Sequence, residues 1–242
     1  MSDSIETSRR GLLAGAAAAF TVLTLAPGVV VYARSADEPA SGKTRWGILV
    51  DTTQCDPNCD ACVKACSTEF GLEGHDRPQS DPQWIRKITV TDPKTDRSQS
   101  FPVMCQHCAH PPCVDVCPTG ASFKRADGIV LVNRHICIGC RYCMLACPYK
   151  ARSLVHEVHK DQKPYAPRGK GTAEACTMCV HRVDDGRRPA CVEACSGAGK
   201  VAMLFGDLND PTSDIAKRIA AVVTTQIRPD LRTDTGVRYQ GI

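Results

Sequence analysis

Apolar positions come in short clusters along this chain, and two of the clusters repeat one context. Ile48-Leu49-Val50-Asp51 ends four residues before Cys55, and Val130-Leu131-Val132-Asn133 ends four residues before Cys137. Both have the length and β-branched content of short strands. Trp84 to Val90 and Ser100 to Val103 flank Asp92-Pro93-Lys94-Thr95-Asp96 and read as a hairpin that serves as scaffold or docking surface. Ser153-Leu154-Val155-His156 is another strand-like run, whereas the Lys-, Pro- and Gly-rich stretch from His159 to Thr172 reads as a linker. Near the end, Ser213 caps a helix expected over Asp214 to Gln226, and the polar stretch from Arg228 to Ile242 reads as a tail that lies along another subunit. The recurring unit is strand, cysteine loop, short helix, strand.

What fills the loops is cysteine. All sixteen fall into four groups of four: Cys55, Cys59, Cys62, Cys66; Cys105, Cys108, Cys113, Cys117; Cys137, Cys140, Cys143, Cys147; and Cys176, Cys179, Cys191, Cys195. Every group ends in a C-x3-C pair. The third, C-x2-C-x2-C-x3-C-P, is the bacterial ferredoxin run, in which three closely spaced thiolates cover three irons of one cubane and the fourth reaches a second cluster. Two such runs complete each other. Disulfides are the first competing reading, but cysteines two residues apart seldom meet the dihedral demands of the bond. Zinc is the second, in the form of a structural zinc-cluster protein, but a third cysteine at the same short spacing has no place in a tetrahedral site. Gln106-His107-Cys108 has the look of a Rieske ligand pair, but Cys113 to Cys117 supplies no second histidine, so His107 and His110 read as supporting or surface groups. His75, His135, His156, His159 and His181 show no ligand spacing. No G-x-S-x-G, Walker loop or G-x-G-x-x-G is present, and Ser196-Gly197-Ala198-Gly199 reads as the turn leaving the fourth group, so a catalytic reductase is the weaker expectation.

The N-terminus changes the picture of destination. Arg9-Arg10 stands just before the apolar run from Gly11 to Tyr32, the arrangement of a twin-arginine export signal over 1–35. The run is long enough to span a bilayer and be retained as an anchor, but Pro27-Gly28 within it and the small residues around Ala33 favour cleavage. Composition adds less. In 242 residues with aromatic content of 5%, a large conventional core is not expected. The formal charge of +4 gives no case for nucleic acid, because each thiolate-ligated cubane brings about −2. Lys64 and Arg141, each beside a group's cysteines, are candidate charges for raising a cluster potential, or else solvated surface groups.

With these motifs placed, the stretch from Thr44 to Phe205 resembles the four-cluster ferredoxin subunits that serve molybdopterin oxidoreductases and related membrane complexes. The resemblance implies an α+β fold of two pseudo-symmetric bacterial 2x(4Fe-4S) ferredoxin-like modules, with a hairpin insert and a C-terminal helical tail. The outer module would take 44–67 with 170–205, the insert 68–103, the inner module 104–158 and the tail 206–242. By the same resemblance cluster one takes Cys55, Cys59, Cys62 and Cys195, and cluster two Cys66, Cys176, Cys179 and Cys191. Cluster three takes Cys105, Cys108, Cys113 and Cys147, and cluster four Cys117, Cys137, Cys140 and Cys143. The first group departs from the family pattern by an extra residue in Asp56-Pro57-Asn58, which puts cluster one in question. The run from Met104 to Lys124, together with the twin-arginine signal, looks like the DsrO type, the periplasmic subunits of Dsr (MKJOP) transmembrane complexes of sulfur metabolism. That implies partners: an integral membrane quinone-interacting subunit, a periplasmic multihaem cytochrome c and other Dsr subunits. The alternatives are ferredoxin subunits of molybdopterin-dependent tetrathionate, thiosulfate or polysulfide reductases, or of periplasmic hydrogenases.

Overall fold

The computed structural model describes residues 40–242 except 78 and 200, and before them only the backbone pairing of β1 (Thr24–Ala26) with β2 (Val29–Val30). Apart from that pairing, the expected export signal at 1–35 lies outside the described residues.

The core of the unit formed by 37–242 is organised on β3 (Trp46–Asp51). Its Ile48, Leu49 and Val50 are all buried, as a continuous apolar run requires when a strand is covered on both faces. Two short cysteine-bearing helices from distant parts of the chain pack together beside it: α1 (Ala61–Phe70), which follows β3, and a helix from the fourth cysteine group. Gly71 ends α1 in a left-handed conformation, and the Leu72 N–H caps the Ser67 carbonyl at 2.9 Å.

The expected hairpin is present as β4 (Ile85–Thr91) and β5 (Ser98–Met104), with Asp92 accepting the Lys94 N–H at 2.9 Å to close the turn. It is more than an insert. Trp84 packs on Phe70 of α1 (ring centroids 4.5 Å), and Phe101, Val103 and Met104 are buried in the same core.

The inner segment carries α2 (Pro112–Asp115), the paired strands β6 (Ser122–Lys124) and β7 (Val130–Val132), and α3 (Tyr142–Ala146), which packs against α2. The strand-like run after the third group is β8 (Ser153–Leu154), paired with β9 (Ala173–Glu174). The stretch between them is tied down rather than free. Arg168, four per cent exposed, makes a two-pronged ion pair with Glu174 at 2.8 and 3.0 Å, and Tyr165 stacks on His181 at 4.0 Å. A linker composition hides these anchors because two side chains do the holding while the rest stay polar.

After α4 (Val180–Asp184) and α5 (Ala190–Gly197), β10 (Met203–Asp207) returns antiparallel to β3. The predicted cap holds: Ser213 Oγ accepts the Ala216 N–H at 3.2 Å at the start of α6 (Asp214–Ala221). That helix is shorter than expected. Val222, Val223, Thr224 and Thr225 are all β-branched, the chain turns extended at Val222, and Thr225 exchanges backbone hydrogen bonds with Tyr239 at 2.7 and 2.8 Å.

The expectation that the polar tail lies along another subunit is corrected. Its end forms β11 (Val237–Gln240), parallel to β3 and on its far side from β10, so that β3 is the central strand of a three-stranded sheet. Val237 and Tyr239 are fully buried while Arg238 and Gln240 are not, and the Tyr239 hydroxyl donates to the Pro102 carbonyl at 3.3 Å. Two alternating apolar residues in a polar stretch carry too weak a signal to announce a strand, but they suffice where β3 offers an edge to pair with.

Candidate metal centres

A helical C-x3-C pair places its two thiols one turn apart on one face. In α1 these are Cys62 and Cys66, in α5 Cys191 and Cys195, and because α1 packs on α5 the four meet across the helix pair. Cys195 joins Cys55, Cys59 and Cys62 around one cavity, whose wall includes Lys87, Pro102, Ala198 and Met203. At the other end of the pair Cys66 lies beside Cys179, Cys176 beside both Cys66 and Cys191, and Cys191 beside Cys179, close enough for each to disfavour ionisation of its neighbour. In the inner segment α2 and α3 carry Cys113 and Cys143, and Cys117 and Cys147 follow just past their ends. Cys105, Cys108, Cys113 and Cys147 line a cavity with Pro111, Pro112, Tyr149 and Arg152, and Cys117, Cys137, Cys140 and Cys143 line another. Each of these quartets draws three members from one sequence group and one from another, and none of the sixteen cysteines is in a disulfide.

The extra residue of the first group does not carry Cys59 away. Lys87, from β4, donates from Nζ to the carbonyls of Asp56 and Cys59, the latter at 2.7 Å, and Asp56 Oδ1 accepts the Asn58 N–H at 2.9 Å. The hairpin thus clasps the widened loop. It also holds the exit of the third group, where Arg86 donates to the carbonyls of Lys150 and Tyr149 at 2.8 and 2.9 Å.

Backbone conformation in the loops follows from the need to turn thiols inward over short spacings. His107, Gly139, Arg141, Met178 and Cys179 all have positive φ. At Gly139 a side chain is impossible as the loop stands, since a Cβ would lie 2.1 Å from the Gly171 carbonyl oxygen. Loops of this kind aim N–H groups at sulfur: Ser122 at Cys117 (3.3 Å), Ala173 at Cys137 (3.4 Å) and Met178 at Cys176 (3.3 Å).

Burial, reinforced by the crowding of thiols, pushes most of these groups up: Cys55, Cys62 and Cys108 to about 11, Cys105 to about 12, and Cys176 and Cys191 well above the ordinary thiol value. Cys117, partly open to solvent, is instead lowered, because N–H and hydroxyl donors at Ser122 and Thr119 together outweigh its desolvation. Without metal the thiols raised in this way stay neutral, and a metal group must displace their protons to enter. The donor set suits iron-sulfur clusters: sulfur only, in fours, around a space and with N–H groups already directed at sulfur. Among the described residues no three His, Cys, Asp or Glu side chains converge on the single point that one metal ion would need. A bound cluster of this type supplies reversible uptake of single electrons.

The histidines serve the loops. His107 is fully buried; its Nδ1 accepts the Val130 N–H at 3.1 Å, and burial, with the Arg152 and Arg45 charges, drives it down to about 3, so it stays neutral and anchors the turn between Cys105 and Cys108. His110 is exposed. Of the two charges picked out in the sequence, Lys64 is 76% exposed and pairs with Asp60, the N-cap of α1, whereas Arg141, though exposed, stands on the wall of the fourth quartet's cavity. The charge that does reach sulfur is Arg152, whose Nη2 donates to Cys113 Sγ at 3.1 Å. Its only trace in the sequence is a lone cation in the apolar run from Ala151 to Val155.

The family model of the 4Fe-4S dicluster domain matches residues 97–208. The iron-sulfur subunit 1 of an Hdr-like menaquinol oxidoreductase of Archaeoglobus fulgidus is 41% identical over 94% of this chain and 95% of its own length. This chain belongs to the iron-sulfur electron-transfer subunits of oxidoreductase complexes. A tetrathionate reductase subunit of Salmonella typhimurium is 36% identical over 84% of this iron-sulfur subunit and 74% of its own length. A sulfite dehydrogenase subunit of Allochromatium vinosum is 36% identical over 81% and 82%. Like its relatives, the iron-sulfur subunit described here is an electron-transfer component and not the catalytic one.

Proposed function

We propose that this subunit holds four 4Fe-4S clusters, in the quartets given above, and passes electrons along them between a periplasmic redox partner and a quinone-interacting membrane subunit in dissimilatory sulfur metabolism. One observation carries the reading: sixteen thiols, with none left over, stand as four quartets that each borrow a member across a packed helix pair or a neighbouring loop. Interlocked quartets keep neighbouring clusters close, which single-electron hopping needs. Exposure supports a point of transfer at the fourth quartet, where Cys140 is open to solvent and Ile138, Tyr142 and Leu145 beside it are exposed apolar groups of the kind that mark protein contacts.

The DsrO-type role is favoured by the residues from Met104 to Lys124 and by the twin-arginine pattern at Arg9-Arg10, and the menaquinol oxidoreductase relative is consistent with quinone-linked transfer. On this reading the chain is exported folded by the twin-arginine route and stays at the periplasmic face of the cytoplasmic membrane through its partners, among them a multihaem cytochrome c. The second reading, a molybdopterin-dependent sulfur-compound reductase, is favoured by the tetrathionate reductase relative.

Purification of the tagged chain in mild detergent, without air, separates the possibilities. Brown protein with acid-labile sulfide equal to iron, and a co-purifying haem protein and multi-span membrane protein, is the expected result. A large molybdopterin subunit in their place would select the second reading, and colourless protein with stoichiometric zinc would remove both. In cell fractions, changing Arg9 and Arg10 together to Lys is expected to leave the chain in the cytoplasm; undiminished export would exclude the twin-arginine route.

A further inference from the structure

Arg152 is the most confined cation of the inner segment. It is 6% exposed, its Nε and Nη1 are buried without a hydrogen-bond partner among the described residues, and its Nη2 donates to Cys113 Sγ at 3.1 Å. Among the described residues no carboxylate pairs with it; the groups whose charge bears on it are Cys113, Cys105 and Cys143. Those three belong to two different quartets. An arginine cannot shed its charge, and a buried charge without a counterion is strongly disfavoured. A cation kept in such a place points to an anion that the protein atoms alone do not supply.

We propose that Arg152 is the charge that sets the reduction potentials of the two inner clusters together, standing between the cluster of Cys105, Cys108, Cys113 and Cys147 and that of Cys117, Cys137, Cys140 and Cys143. The inference rests on the cluster assignment proposed above. Each cubane with its four thiolates goes from about −2 to about −3 when it accepts one electron from a neighbouring cluster, with no bond made or broken. A fixed positive charge stabilises the more negative state more strongly, and low local dielectric magnifies the difference. N–H donation to a ligating sulfur acts in the same direction, and the two unpartnered nitrogens leave further N–H groups for sulfur. No cation is seen donating to sulfur in the outer quartets among the described residues. Lys87, in the first cavity, directs its donors to the backbone carbonyls of Asp56 and Cys59, with its charge bearing on Cys55, and Arg182, near Cys179, is ion-paired with Glu69 and Glu193. Arg152 therefore makes both inner clusters easier to reduce and keeps the two close in potential, so that an electron is not trapped on either.

The test is a redox titration followed by electron paramagnetic resonance on the full chain in its complex, comparing R152Q, R152K and the unchanged protein, with iron and sulfide measured on each. With full iron and sulfide, R152Q is expected to lower the midpoint potentials of two clusters together and leave the other two in place, with R152K between. Unchanged potentials in R152Q, or a shift in one cluster alone, would overturn the proposal. If both variants lose two clusters, the residue is structural and the proposal also fails. Failure of the underlying assignment looks different: Cys113→Ala and Cys143→Ala in the same titration would then not each remove one of the two signals that R152Q moves.

Discussion

Glu174→Ala is expected to destabilise the folded subunit by about 3–5 kcal/mol, because it strands a guanidinium in the interior. Glu174 is fully buried and Arg168 nearly so, and besides the two-pronged pair Arg168 donates to the Gly71 carbonyl at 3.0 Å, just past the end of α1. The pair therefore fastens 159–172 both to β9 and to the helix that carries Cys62 and Cys66. Losing it loosens the wall of the second quartet as well as the fold. Anaerobic heating with cluster absorbance and circular dichroism recorded together should show a clearly lowered transition, with early proteolysis in 159–172. The double variant Arg168→Met, Glu174→Leu should recover most of the loss, since an apolar pair of similar volume leaves no buried charge. A single variant as heat-resistant as the parent would show that the ion pair does not hold the segment.

The second large effect concerns partnership among the cysteines. Cys66→Ala and Cys191→Ala are expected to abolish or convert the same cluster, although the two residues lie in the first and last sequence groups. Cys195→Ala, one helical turn from Cys191, should instead match Cys62→Ala and affect another. Each change removes up to about a quarter of the iron and one paramagnetic signal. The comparison is decisive in form: if Cys191→Ala and Cys195→Ala removed one and the same signal, each sequence group would hold its own cluster and the crossed arrangement would be wrong.

Much of the local structure was legible in the sequence because its causes are local. The strands at 46–51 and 130–132, the hairpin closed by Asp92 and the cap at Ser213 each depend on a handful of neighbouring residues, and all are found where expected. The C-terminal strand was not legible. Its stability comes from pairing with β3, nearly two hundred residues earlier in the chain, and from Tyr239 packing on Phe101 of the hairpin at 5.5 Å. Nor were Lys87 and Arg152, ordinary cations until the fold closes around them.

By itself the sequence determined that each group would open on closely spaced thiols and close on a pair four positions apart, since loop length and local chain geometry are properties of the neighbouring residues alone. Which groups meet, which loop Lys87 clasps and which thiols Arg152 stands between were decided only by the tertiary structure. Those relations depend on α1 packing against α5 and α2 against α3, and on a buried environment that turns an arginine from a solvated side chain into a fixed field.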